Sequence, residues 1–266
     1  MLEELERARN LVRSSRRLVI LTGAGVSADS GVPTFRSAEG LWKSYRPEEL
    51  ATPEAFARDP ETVWEWYTWR RRLILECTPN EGHRAIARLL LSRDGVTLVT
   101  QNVDGLHDRA LRELQSEGVG LHPDGTAREP GPTLELHGNI LRSRCSVCSE
   151  SDDDGLDPGG GESDAPLPRC PSCNAPMRPA VVWFGESLDP GVLDRAMHAA
   201  QDADICISAG TSAVVHPAAG IPLLTRESGG SMIEVNPEVT PLSPFADIHL
   251  RGAGVEVLPS ILEPLE

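Results

Sequence analysis

RLVILTGAGVSADSG, residues 17–31, decides the fold. Leu18 to Thr22 run without polar alternation, which reads as a strand buried on both faces. The run ends in glycines and opens into a polar Gly/Ser/Pro loop that continues to Arg36. That loop is too long for an ordinary strand-to-helix turn, so its length suggests a binding loop. Gly23 and Gly25 would let backbone approach a pyrophosphate, with backbone N–H groups to hold it. Glycines that only close a tight turn remain the alternative, because the third glycine of the dinucleotide fingerprint is missing from its expected spacing.

Working outward, strands alternate with helices. Residues 1–15 read as an amphipathic helix, and residues 53–76 as helical with an interruption near Asp59 and Pro60. HRAIARLLLSR (83–93) is a helix and VTLVTQN (96–102) a strand. TLELHGN (133–139) is a strand that runs into the cysteines. Then come strand AVVWF (180–184), helix VLDRAMHAAQDA (192–203), strand ADICISAGTS (203–212), helix PAAGIPLLTRES (217–228), strands SMIEVN (231–236) and DIHLRG (247–252), and a last helix. The pattern predicts an α/β fold whose parallel sheet is covered on both faces.

The chain has 266 residues, enough for a large core, and a formal net charge of -15. No apolar run approaches the roughly 20 residues of a membrane span. The first residues lack an apolar stretch fit for a signal peptide, which places the protein in the cytosol. With 25 Lys+Arg against 40 Asp+Glu, the overall field does not favour a polyanion, so direct nucleic-acid binding is not expected. Acid excess with a single lysine, Lys43, also suits a salt-loaded cytoplasm.

Four of the six cysteines form two pairs, Cys145-x2-Cys148 and Cys170-x2-Cys173. In a cytosolic chain this spacing predicts a closed tetrahedral zinc site, structural because no ligand position stays open. Between the pairs lies SDDDGLDPGGGESD (151–164), a solvated insertion by composition. VTQNVDGLHDRA places Gln101, Asn102, Asp104 and His107 at a strand's C-terminal end, where parallel sheets bind ligands. ELHGN adds His137, and both histidines are candidates for a general base. Gly210, Thr211, Ser212 and Asn236 stand at further strand ends.

GAGVSADSGVPTFR, TQNVDGLH, ELHGN, the paired CxxC, VVWFGE, GTS and EVN follow the order and spacing of the sirtuins, NAD-dependent protein lysine deacylases. The resemblance runs from about residue 8 to the last helix. It implies a Rossmann-like NAD-binding domain (1–36, 83–140 and 178–266) and a small domain of helical insertion and zinc ribbon (37–82 and 141–177). By motif match Gly23, Ala24, Gly25, Thr34, Phe35 and Arg36 line the NAD loop. Gln101, Asn102 and Asp104 face nicotinamide and its ribose, and Gly210, Thr211, Ser212 and Asn236 hold the ADP-ribose half. Val182, Phe184 and Gly185 lie along the acyl-lysine tunnel. His137 matches the catalytic histidine, with Asn102 beside it.

The implied reaction turns acyl-lysine protein and NAD into free lysine, nicotinamide and O-acyl-ADP-ribose. One structural zinc and a monomeric enzyme are expected. Two other readings stand beside it: a protein mono-ADP-ribosyltransferase, and a non-catalytic zinc-ribbon binding module. Two departures from the family are visible. The stretch between Ala110 and Glu135 is longer than the usual short turn, and Val103 replaces a commoner isoleucine.

WEWYTWRRR (64–72) concentrates three of the five tryptophans. On a helix, Val63, Tyr67, Arg70 and Ile74 share one face, with Trp66, Trp69 and Leu73 beside them. Arg71 and Arg72 then fall outside the apolar arc. Tyr-x-x-Arg at Tyr67 and Arg70 resembles the class III sirtuins, where these side chains receive the distal carboxylate of succinyl- or malonyl-lysine. Removal of such groups, besides acetyl, is expected on that resemblance.

Overall fold

The computed structural model describes residues 2–32, 47–122, 124–148, 150–152 and 167–262. Thr34, Phe35, Arg36, Lys43 and most of the acidic insertion lie outside the described residues.

Strand β1 (Leu18–Thr22) is buried along its whole length. It lies inside a six-stranded parallel sheet with β2 (Val96–Thr100), β3 (Thr133–Glu135), β7 (Ile205–Ala209), β8 (Ser231–Val235) and β9 (Ile248–Leu250). The strand order is β3-β2-β1-β7-β8-β9. Leu18 and Ile20 join the apolar cluster of one face, Val19 and Leu21 that of the other. The first face is covered by α1 (Leu2–Ser14), α5 (Glu81–Ser92), α6 (Leu106–Ser116) and α9 (Gly254–Leu262). The second is covered by α7 (Pro190–Asp202) and α8 (Ile221–Glu227). A strand covered on both sides has no wet face to alternate, which is why its sequence is uninterrupted.

Strand order reverses between β1 and β7, so the loops leaving these strands diverge and open a crevice at their C-terminal ends. The two loops touch backbone to backbone: Gly25 N donates to the Gly210 carbonyl at 2.8 Å and Gly23 N to the Ala209 carbonyl at 3.0 Å. A Cβ on Gly23 or Gly25 would lie 2.8 Å from atoms of Gly210 or Thr211. The glycines are therefore demanded first by the neighbouring loop, which is the tight-turn alternative in a specific form.

A second, three-stranded antiparallel sheet has the order β5-β4-β6, built from β4 (Gly138–Cys145), β5 (Ser151–Asp152) and β6 (Met177–Val181). The run TLELHGN is thus not one strand. It stops at Glu135, turns through Leu136 and His137, and restarts in the other sheet. Gly138 makes the turn: its φ is +76°, and a Cβ there would sit 2.1 Å from the Ala180 carbonyl oxygen. β6 likewise begins before the expected AVVWF strand and ends within it at Val181, since Trp183 to Glu186 belong to a turn closed by Glu186 N on the Trp183 carbonyl at 3.0 Å.

Before these strands come α2 (Pro47–Leu50), α3 (Pro53–Arg58) and α4 (Pro60–Glu76). The break between α3 and α4 is local chemistry: Asp59 ends one helix and caps the next, accepting from Thr62 N at 3.0 Å, with Pro60 in the first turn. The long connection after α6 contains a short pairing of Leu121 with Ala127. Val103 is partly buried against the α4 cluster, as a conservative core exchange requires. Among the described residues no helix is long and apolar enough to cross a membrane.

Candidate active site

The crevice brings together Gly23, Ala24 and Gly25 after β1, Gln101, Asn102 and Asp104 after β2, Gly210, Thr211 and Ser212 after β7, and Asn236 after β8. Gln101 Nε2 donates to Thr211 Oγ1 at 3.1 Å, and Asn236 Nδ2 donates to the Thr211 carbonyl at 2.8 Å. Thr211 therefore ties three of the four strand ends together. Asn102, Asp104, Thr211 and Asn236 are all buried polar groups. A dinucleotide's polar edges fit such a row of amide, hydroxyl and carboxylate groups at a topological switch point.

His137 sits in the turn between the two sheets, half-buried, its Nδ1 3.0 Å from the Gln101 carbonyl oxygen. A carbonyl only accepts, so Nδ1 carries the proton and Nε2 keeps its lone pair. Burial lowers its pKa below the ordinary histidine range, and the Gln101 carbonyl opposes that shift in part. The ring is consequently a neutral base at neutral pH. His107, the other candidate, lies inside the core with its Nε2 on Thr22 Oγ1 at 3.0 Å. Burial holds its pKa well below the usual value, and His83 nearby adds to this. Nothing in this arrangement exposes His107 to a substrate, so its general-base reading is withdrawn.

Asn102 and Asp104 are held by a network not read from the sequence. Asn80 N donates to His83 Nδ1 at 3.3 Å, so neutral His83 bears its proton on Nε2, which faces Ser27 Oγ at 3.2 Å. Asn102 Nδ2 donates to the same Oγ at 3.1 Å. Ser27, accepting twice, turns its own proton to the Asp104 carboxylate. Burial raises the Asp104 pKa, while the Leu106 N–H, Ser27 and the Arg70 charge pull it back. Burial brings His83 down to about 4. The available signals were the Asn80–His83 capping pair and Ser27 inside the glycine-rich loop.

The acyl side corrects the helical-wheel reading of α4. Arg71, expected outside the apolar arc, is the buried arginine, while Arg70 keeps part of its surface exposed. The reason is a second packing surface. Arg71 donates to the carbonyls of Ile140 (2.6 Å) and Arg142 (2.8 Å) and to Ser143 Oγ (2.9 Å). β4 thus satisfies a guanidinium that an apolar wall could not. Arg71 also lies 5.0 Å from the Trp64 ring centroid, and Trp64 packs on Cys145, Cys170 and Met177. Arg70 stands 5.0 Å from the Trp66 ring centroid; burial of its guanidinium lowers its pKa, and the Asp104 charge opposes that shift. Buried Tyr67 accepts a hydrogen bond from Trp183 Nε1 at 2.9 Å. Val182 is half-buried, Phe184 and Gly185 are exposed, and Val182 N donates to the His137 carbonyl at 2.9 Å.

The sulfurs of Cys145, Cys148, Cys170 and Cys173 all lie within 4.8 Å of one another. Separations of 3.4 Å (Cys145–Cys173) and 3.6 Å (Cys148–Cys170) approach the edge of about 3.8 Å in a tetrahedral zinc–thiolate site. The N–H groups of Val147 and Cys148 point at Cys145 Sγ, as they do toward a thiolate ligand. The four cysteines fit a structural zinc. Cys77 and Cys206 are buried elsewhere, Cys77 with its thiol on the Leu73 carbonyl.

Residues 23–217 match the Sir2 family. The chain is 48% identical over 259 residues to the NAD-dependent protein deacylase 1 of Archaeoglobus fulgidus, covering 97% of this chain and 96% of that protein. It is also similar to a Sir2 homologue crystallised with NAD (TM-score 0.81, 46% identity, 97% and 92% of the two chains). A more distant Sir2 variant bound to a deacetylated p53 peptide and 3′-O-acetyl ADP-ribose superposes with a TM-score of 0.77 at 30% identity (97% and 96%). With the crevice, the paired cysteines and most of the chain in agreement, this protein belongs to the Sir2 family.

Proposed function

We propose that this Sir2 enzyme, an NAD-dependent protein deacylase, removes succinyl and malonyl groups from lysine as well as acetyl. The observation that carries the acidic-acyl reading is the pairing on α4 of Arg70, 5.0 Å from the Trp66 ring centroid, with buried Tyr67 one turn before it, whose oxygen is held by Trp183 Nε1. A guanidinium gives a carboxylate two parallel charge-assisted hydrogen bonds, and the Tyr67 phenol adds a third.

NAD supplies the ribose carbon that accepts the acyl oxygen as nicotinamide departs. The chain's own groups do the rest. Gly23, Ala24 and Gly25 line the NAD loop, which the sirtuin resemblance extends to Thr34, Phe35 and Arg36, while Gly210, Thr211, Ser212 and Asn236 hold the ADP-ribose half. Ser27 fixes the Asn102 amide and the Asp104 carboxylate at the nicotinamide end, so no reorganisation is needed when that end fills. Val182, Phe184 and Gly185 lay out the peptide. His137 Nε2 takes the proton of a ribose hydroxyl, with the Gln101 carbonyl steadying the imidazolium that forms. The expected products are lysine, nicotinamide and O-acyl-ADP-ribose, and the partners are acyl-lysine proteins of the cytosol met by a monomer.

The division between a Rossmann-like domain and a small domain follows the same reading. β4 and β6 pass from the edge of the large sheet to the cysteines, so each unit reaches the other through a continuous strand. The family's NAD chemistry sets aside the non-catalytic zinc-ribbon reading. Mass spectrometry of acetyl-, succinyl- and malonyl-lysine peptides incubated with NAD tests the proposal. Loss of the acidic acyl groups with O-acyl-ADP-ribose formed supports it. Turnover of acetyl peptide alone refutes the acidic-acyl reading, and a gain of ADP-ribose on protein supports the transferase alternative.

A further inference from the structure

The Trp183 side chain is buried between Arg178, Phe56 and Tyr67. Its ring lies under the Arg178 guanidinium, 3.3 Å from the carbon to the ring centroid, and Phe56 stands 5.3 Å away centroid to centroid. Arg178 is itself pinned by both Glu186 oxygens (2.5 and 2.8 Å) and by the Val181 carbonyl at 3.0 Å. Glu186 in turn accepts from Trp183 N at 2.8 Å and faces Arg144 at 3.6 Å. A ring clamped in this way has one direction for its N–H, and that direction is the Tyr67 oxygen at 2.9 Å.

An indole N–H only donates. The Tyr67 oxygen is therefore an acceptor in this contact, and the phenol's own proton remains to be donated elsewhere. Burial pushes the Tyr67 pKa up to about 12, so the phenol keeps that proton at any ordinary pH. A free tyrosine hydroxyl can present either a proton or a lone pair to a ligand, and here the lone-pair side is already engaged. An acyl group ending in a carboxylate offers an acceptor for the proton. An acetyl methyl offers none.

We propose that Trp183 is a specificity-positioning residue: its N–H, aimed by the Arg178–Glu186 pair, makes the Tyr67 hydroxyl a donor toward the distal carboxylate of an acidic acyl-lysine. The inference rests on the acidic-acyl reading and adds the device that orients the phenol. Trp183 acts through Tyr67 and touches no reacting atom.

Trp183→Phe keeps an aromatic ring beneath Arg178 and removes only the N–H donor and the second ring. The KM for a succinyl-lysine peptide should rise about tenfold, the scale of one charge-assisted hydrogen bond, with kcat within about twofold and the acetyl KM within about twofold. Tyr67→Phe should raise the succinyl KM by a similar factor, and the double variant Tyr67→Phe/Trp183→Phe should raise it no further than Tyr67→Phe alone. If Trp183→Phe does not fold, benzothienylalanine in place of Trp183 keeps the bicyclic shape, replaces N–H by sulfur and carries the same expectation. An equal rise in both KM values, full additivity in the double variant, or an unchanged succinyl KM overturns the role given to Trp183. In the last case, a parent enzyme that still processes succinyl peptide leaves the acidic-acyl reading standing. A parent enzyme that processes acetyl peptide alone overturns both.

Discussion

The two walls of the cleft are held by different physics. At the nicotinamide end Asn80, His83, Ser27 and Asn102 are neutral, each hydrogen bond has one possible direction, and the only carboxylate, Asp104, receives its hydrogen bonds from Leu106 N and Ser27. At the acyl end Arg71, Arg144, Arg178 and Glu186 do the holding, in ion pairs and guanidinium contacts around aromatic rings. The first wall is held mostly by hydrogen bonds among neutral groups, with Asp104 as its charged member. The second wall already carries positive charge, and a carboxylate added there meets groups that favour it. Under the proposed function, this division lets one cleft cleave an invariant cosubstrate while its acyl wall selects among acyl groups.

The comparison breaks most easily at its joint. His137→Ala should lower deacylation by a factor on the order of 10²–10⁴ on every acyl peptide, with the NAD Kd changed little. Single-turnover assays on acetyl and succinyl peptides check this, and turnover within tenfold of the parent would take the base role from His137. The acyl wall stands on the sheet that ends in the cysteines, so Cys170→Ser should release zinc and unfold that sheet. Metal analysis with circular dichroism measures it, and full zinc content in the purified variant would exclude a four-cysteine site.

Smaller changes sharpen the contrast. Arg71→Met strands two carbonyls and a hydroxyl and should cost about 2–4 kcal/mol of stability, with both acyl substrates affected alike. Arg70→Met should raise the KM for succinyl peptide more than that for acetyl peptide, by a contact of roughly 2–5 kcal/mol. Paired melting curves and KM values separate the adjacent arginines, and identical profiles would defeat the distinction.

The neutral wall should respond to acid alone. Folding holds His83 at about 4, below the ordinary value near 6.5. Between those values the unfolded chain binds a proton that the folded chain refuses. Stability present above about pH 6.5 is then lost as pH falls toward 4, by up to about 3 kcal/mol. Denaturant titrations from pH 7 to 4 check the slope, which His83→Gln should flatten. The lowered pKa of His137 keeps its base form populated through neutrality, so kcat/KM should hold level below pH 6.5 before falling.

How much of this was legible depended on whether a residue's partner lay nearby in sequence. The parallel sheet could be read because burial on both faces leaves an uninterrupted apolar run at Leu18–Thr22. The cysteine site could be read because ligand spacing is short-range. Arg71 was misplaced because a helical wheel knows only its own helix, and the carbonyls that satisfy Arg71 come from Ile140 and Arg142. The break inside TLELHGN was hidden for a similar reason: the close approach of Ala180 to Gly138 belongs to a strand about forty residues away. Ser27, His83 and Trp183 sat inside quoted motifs, yet their roles are directions of protons, which no spacing encodes.

His137 occupies the two-residue passage from one sheet to the other, its ring nitrogen bound to Gln101 of the large sheet and its carbonyl bound to Val182 beyond the small one. The proposed base accordingly belongs to neither unit. Chimaeras that exchange the small sheet between relatives would cut through this passage, and an enzyme reassembled from two separate pieces would recover its chemistry only after both had docked. Turnover thus reports on assembly, and the reaction can serve as an assay for the seam itself.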